Sequence, residues 1–175
     1  MVLGRGNLHH HSSMRLAPNF TLAELTRTSH RRFLGENRNP PPDVVEALRA
    51  TAEMLQVVRD RWGVVTVTSG YRCPALNTAI GSNTKRSQHP RGQAADFVAG
   101  DDLQEVWEWI WKESSIRETF GQCILEGWSQ GPGGMPTPGW IHLSLGPPWW
   151  SHSGEVLTWN GAKYTRIDTG GVKVV

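Results

Sequence analysis

His89 and Asp96 stand seven residues apart in Ser87-Gln88-His89-Pro90-Arg91-Gly92-Gln93-Ala94-Ala95-Asp96, and His142 follows far downstream in Trp140-Ile141-His142-Leu143-Ser144. Two imidazoles and one carboxylate make three of the four ligands of a catalytic zinc ion whose last position stays open to water. The chemistry of such a site is metal-assisted hydrolysis. Each residue also has an ordinary reading. A lone histidine is more often structural or exposed, and Asp96 between Ala95 and Phe97 can be held by a salt bridge. Acids are disfavoured in strands, and a buried carboxylate without a partner is costly. A shared cation answers for all three residues at once.

Glu126, in Ile124-Leu125-Glu126-Gly127-Trp128, is another acid in apolar surroundings. Amide hydrolysis needs a base to take a proton from the attacking water and an acid to protonate the leaving amine, and one glutamate serves both in turn. The alternative is an ion pair, for instance with Arg72. Arg72 closes Ser69-Gly70-Tyr71-Arg72 behind a β-like run. An arginine there suits a substrate carboxylate or the oxyanion of a tetrahedral intermediate, or else a structural salt bridge. Ser69, Tyr71, Ser87 and Gln122 flank these positions and are the expected substrate contacts.

Strands must present these side chains, and strands alternate their faces. In 94–99, Ala95 and Phe97 take the core side and Asp96 the other. In 140–145, Ile141, Leu143 and Leu145 face the core, which leaves His142 and Ser144 opposite, with Trp140. In 122–128, Cys123 and Leu125 face the core and Gln122 and Glu126 do not, although Ile124 lies between them. Three separate alternations thus put Asp96, Glu126 and His142 on the polar face of one sheet.

The remaining elements frame that sheet. Thr21-Leu22-Ala23-Glu24 is a capping box opening a short helix. After Pro40-Pro41-Pro42, Asp43 reads as an N-cap with Glu46 three residues on. Val44, Leu48, Leu55 and Val58 recur at helical spacing up to Gly63. Val64–Thr68 reads as a strand, and 74–80 as one or two helical turns, with a polar loop over 81–88. Asp102 with Glu105 caps another helix, with Leu103, Trp107, Ile110 and Trp111 on one face and Trp109 off it. A long Gly/Pro-rich loop is expected over 130–139, and Asn160-Gly161 marks a hairpin. Helices first and mixed elements later favour an α+β fold with a small antiparallel sheet flanked by helices.

The chain has 175 residues, suited to one domain. A disordered tail is expected over 1–18, with His9-His10-His11 set aside from the fold, and a single domain over 19–175. Net charge is +2 and pI about 8.7, too weakly basic to point to nucleic acid. Arg27, Arg31 and Arg32 read as a solvated surface. No run has the apolar length of a membrane span, and no secretory signal is seen. Cys73 and Cys123 make no disulfide framework, although a single bridge between them is possible. Exposed Trp128, Trp149 and Trp150 leave room for a sugar-binding role. A monomer is expected.

Three motifs carry a family resemblance. Ser-Gly-Tyr-Arg-Cys-Pro-x-Leu-Asn, Ser-x-His-x-x-Gly-x-Ala-x-Asp and Trp-Ile-His-Leu-Ser resemble the zinc D-alanyl-D-alanine carboxypeptidase family, a VanY-like group that includes phage endolysins and shares the hedgehog/DD-peptidase fold. The resemblance spans roughly 19–167, and the Asn19–Leu25 and Val156–Tyr164 stretches also look like phage and prophage members. It implies His89, Asp96 and His142 as zinc ligands, Arg72 as the group that stabilises the transition state, and the peptidoglycan stem peptide as substrate. It implies cytoplasmic synthesis with action at the cell wall. One departure stands out. Many members carry a glutamate two or three residues before the last histidine, and here Gly139, Trp140 and Ile141 hold no acid. Glu126 is the expected replacement. A zinc-stabilised wall-binding or phage structural module without catalysis is the alternative.

Overall fold

The computed structural model describes residues 13–82, 86–127, 129–130, 136–137, 139–151, 153–160 and 162–169. Strands β3 (Val65–Ser69), β4 (Ala94–Ala99), β5 (Phe120–Glu126), β8 (Trp140–Leu145), β9 (Glu155–Trp159) and β10 (Tyr164–Arg166) form one six-stranded sheet in the order β10-β9-β5-β8-β4-β3. The α+β class holds, but the sheet is mixed: β5 and β9 run parallel, while the other pairs are antiparallel. A parallel pair needs a crossover, and here β8 and the chain after it supply it.

The sheet's back is apolar, as the alternation requires. Ala95, Phe97, Cys123, Leu125, Ile141 and Leu143 are all buried there. Helix α3 (Pro42–Trp62) covers this face with Val44, Leu48, Ala52, Leu55 and Val58. It starts on Pro42 at its first position, and Gly63 at φ +78° ends it. Pro41 occupies the cap, so Asp43 lies in the first turn and favours the helix dipole there rather than capping it. Helix α4 (Pro74–Ala79) follows β3, and α5 (Leu103–Lys112) lies beside α3, with Asp102 capping the amides of Gln104 and Glu105. Trp107 is buried and donates its indole N–H to the Cys123 carbonyl at 3.1 Å. Trp109, off the stripe, packs edge-on against Trp62. These two tryptophans are therefore structural.

Several boundaries differ from the sequence reading. The fold starts before Asn19: β1 (Arg15–Ala17) pairs with β2 (Phe20–Thr21), and Leu16 and Ala17 are buried. Two or three apolar residues in a polar neighbourhood give no periodic signal, and only their packing on α3 orders them. Residues 1–12, and so the histidine tract, lie outside the described residues. Within the expected 130–139 loop, β6 (Ser129–Gln130) pairs with β7 (Pro136–Thr137). Trp128 also lies outside the described residues. The capping box opens α1 (Leu22–Leu25) as expected. The hairpin joins β9 to β10, with Asn160 Oδ1 accepting from the amides of Ala162 and Lys163. Cys73 and Cys123 are free and buried. No helix among the described residues is long and apolar enough to cross a membrane.

Asn37, at the end of α2 (Leu34–Asn37), secures the segment that leaves β3. Its fully buried amide donates to the carbonyls of Thr26 and Tyr71 at 2.7 and 3.0 Å, and its Oδ1 accepts from the Cys73 amide at 2.7 Å. Asn37→Ala strands three buried backbone groups. It is expected to cost about 3 kcal/mol, measured by urea unfolding; a loss under about 0.5 kcal/mol would show that the staple is dispensable.

Candidate metal centre

The open face of the sheet carries the polar residues in register. Asp96 pairs with His142 across β4 and β8, and His142 pairs with Ile124 across β8 and β5. On the other side Ser69 stands opposite Asp96, past a bulge in β3. A bulge bends the strand and re-aims the residues beyond it. Here it sends the chain into Gly70, Tyr71 and Arg72.

Gly70 is required by contact. A Cβ at this position would lie 2.3 Å from the Leu25 carbonyl oxygen, which accepts the Tyr71 amide at 2.7 Å. The Gly70 carbonyl is left facing His89, whose Nδ1–H donates to it at 2.7 Å. That bond fixes the tautomer and leaves the Nε2 lone pair free, as metal-binding imidazoles require. His89 opens a short 3-10 turn, His89–Arg91, closed by Gly92 at φ +69°. A Cβ on Gly92 would come within 2.7 Å of the Val44 carbonyl, and Thr51 of α3 donates to the Gly92 carbonyl at 2.8 Å. The glycine of the His-x-x-Gly motif is thus the point where the turn docks on the long helix.

The three expected ligands converge. Asp96 Oδ1 lies 2.8 Å from His142 Nδ1 and 3.3 Å from His89 Nε2, and the imidazole centroids are 5.1 Å apart. One ligand atom from each residue lies within 4.8 Å of the others, and all three residues are buried. Asp96 Oδ2 accepts from Arg72 Nη2 at 2.5 Å, and Arg72 Nε donates to Ser69 Oγ at 2.8 Å. Arg72 therefore pairs with Asp96 and not with Glu126.

Protonation suits metal binding. Burial pushes His89 below the ordinary imidazole range, although Asp96 pulls the other way. Burial alone would raise Asp96, but His89 and His142 outweigh it and hold the carboxyl well below the usual range. A neutral imidazole and an ionised carboxylate are the forms that bind a divalent cation. Two nitrogens and one oxygen, with the far side of His89 anchored to a carbonyl, fit a zinc site with a position to spare.

Glu126 pairs with Trp140 one step along the same face, diagonal to His142. Burial raises its carboxyl; His142 lowers it and Asp96 raises it further. The expected substrate contacts divide. Ser69 joins the cluster through Arg72. Gln122 is on the same face but bonds Glu155 at 2.8 Å. Ser87 lies on the loop before His89, with its hydroxyl 3.4 Å from Asn77 Oδ1. Tyr71 is only 4% exposed and packs in the core, its hydroxyl pushed up to about 12 chiefly by burial. The Gly70 carbonyl is invisible to sequence reading, because a backbone acceptor leaves no trace in residue types.

The sequence profile of peptidase M15 matches residues 18–126, more than half of the chain. The chain belongs to the peptidase M15 family. Members are metallopeptidases, typically with zinc. The match contains Arg72, His89, Asp96 and Glu126, and His142 lies beyond it. None of the curated proteins compared with the chain matches it.

The metal-free protein is expected to lose stability on acidification. His89 is depressed in the folded state, whereas an unfolded histidine titrates near ~6.5. Below that pH the unfolded chain binds more protons, so stability falls. Asp96, also depressed, continues the same trend below about 4. Urea midpoints measured with chelator from pH 8 to 5 should fall, with a shallower slope in His89→Gln; a flat wild-type profile would contradict the assignment.

Proposed function

We propose that the protein is a zinc peptidase that hydrolyses peptide bonds in peptidoglycan stem peptides, beside a D-configured residue, as a D-alanyl-D-alanine carboxypeptidase or an endolysin-type endopeptidase. The observation that carries this reading is the convergence of His89, Asp96 and His142 within 4.8 Å on a buried patch of the sheet. Bound there, zinc supplies Lewis acidity and a water acidic enough to act at neutral pH.

The roles of the protein's own residues come from their surroundings. His89 and His142 offer neutral nitrogens, and Asp96 offers Oδ1. Glu126, raised by burial, is the base that takes a proton from water and returns it to the leaving amine. Arg72 uses Nε and one Nη2 proton on Ser69 and Asp96. A guanidinium has five N–H donors, so others remain for a substrate carboxylate or the developing oxyanion. Ser69 holds the guanidinium plane. Ser87 and Gln122 are placed as rim contacts.

The non-catalytic alternative rests on the missing acid before His142. Glu126 answers it from the neighbouring strand, on the same face and diagonal to His142. The proposed site of action is the cell wall, reached in phage or prophage lysis, and the protein works as a monomer.

Incubation with muropeptides and zinc is expected to release new termini, read by mass spectrometry. Zinc bound to an intact fold with no cleavage would sink the peptidase reading. Glu126→Gln should lower turnover by about 10²- to 10⁴-fold while zinc content stays near one per chain; His89→Ala should lose the metal itself, checked by metal analysis.

A further inference from the structure

Trp140 opens β8 with its ring seated against backbone. Its benzenoid edge lies against the backbone of Gly127, where a Cβ would come within 2.1 Å of Cζ3, 2.3 Å of Cε3 and 2.7 Å of Cη2. Gly127 sits at φ +74°, so both its conformation and this contact exclude a side chain. Gly139, just before β8, packs on Gly127 and not on the ring: a Cβ there would lie 2.4 Å from the Gly127 carbonyl oxygen, and its amide donates to the Glu126 carbonyl at 2.9 Å. Gly127 thus seats the indole, and Gly139 fixes Gly127, where β5 ends and β8 begins.

This seat leaves the opposite, Nε1-bearing edge of the ring inside the protein. Nε1 is buried and has no hydrogen-bond partner in the structure. A buried N–H without an acceptor is costly. Trp140 is the register partner of Glu126 on the site face. His142, Asp96, Arg72 and, from β10, Tyr164 are the other groups coupled to that carboxyl.

We infer that Trp140 is the positioning residue of Glu126: seated on Gly127, its indole N–H is the donor that aims the Glu126 carboxylate toward the metal centre during turnover. Glu126 belongs to no histidine-proximal motif and comes from a separate strand. It therefore needs an orienting partner from the strand that carries His142, and Trp140 is two residues from that ligand. The inference rests on the proposed role of Glu126 as base.

The test separates the two. Trp140→Phe removes the N–H, and benzothienylalanine at 140 replaces it with sulfur while keeping the ring that fills the glycine seat. Both are expected to lower kcat about tenfold with KM and zinc content unchanged. They should also move the acid limb of kcat/KM upward by about one pH unit, because a carboxylate that loses a donor is a stronger base. In the metal-free wild type, the Trp140 indole N–H resonance should titrate with Glu126, and Glu126→Gln should remove that inflection. An unchanged pH limb in both Trp140 variants, or an indole resonance indifferent to Glu126→Gln, would overturn the positioning role while leaving the peptidase intact. Full turnover in Glu126→Gln would overturn the base assignment, and the positioning role with it.

Discussion

Asp96 is a carboxylate with almost no access to water, in the second strand of a sheet, and its surroundings are arranged to keep it ionised. A lone buried charge would neutralise or unfold the site. Instead one oxygen faces two imidazoles and the other takes a guanidinium. These partners come from three directions: a bulged strand end, a 3-10 turn and the neighbouring strand. Each must be placed within a few tenths of an ångström, and much of the local architecture serves that placement. The β3 bulge turns the chain so that Arg72 can reach back. Gly70 lets that chain press on α1 and offers its carbonyl to His89. Gly92 lets the turn bearing His89 dock on α3.

The same architecture separates the residues by role. Asp96 and His142 sit where β4 and β8 pair, near the middle of the sheet, and His89 reaches them from its 3-10 turn. Glu126 sits at a strand end, one step from the glycine that turns the chain away. The three groups that could hold a metal are thus braced by neighbouring elements, whereas the Glu126 carboxylate stands at the end of its strand. Arg72 pairs with Asp96 and Ser69 and keeps further N–H donors in reserve.

Much of the site was legible in the chain. Alternation is a local property of the strand backbone, so Asp96, Glu126 and His142 were readable as one face from residue types alone. Helical periodicity gave α3, and the capping residues gave the starts of α1 and α5. The resemblance to zinc carboxypeptidases rests on motifs short enough to read by eye, and the family match supports it. The features that escaped had non-local causes. β1 is three residues long and ordered only by packing. The β5–β9 parallel pair depends on where the chain returns after β8. Tyr71 is buried, and its amide donates to the Leu25 carbonyl against which Gly70 packs, a contact 46 residues back in the chain.

Residue identity and spacing determined which side chains were available and which face of each strand they took. Tertiary structure decided which strands became neighbours. It thereby decided that Arg72 meets Asp96, that a backbone carbonyl orients His89, and that Trp140 lies beside Glu126. The division has one physical origin: alternation and capping are set by bonds and torsions within a few residues, whereas pairing and close approach are set by burial shared across the whole sheet.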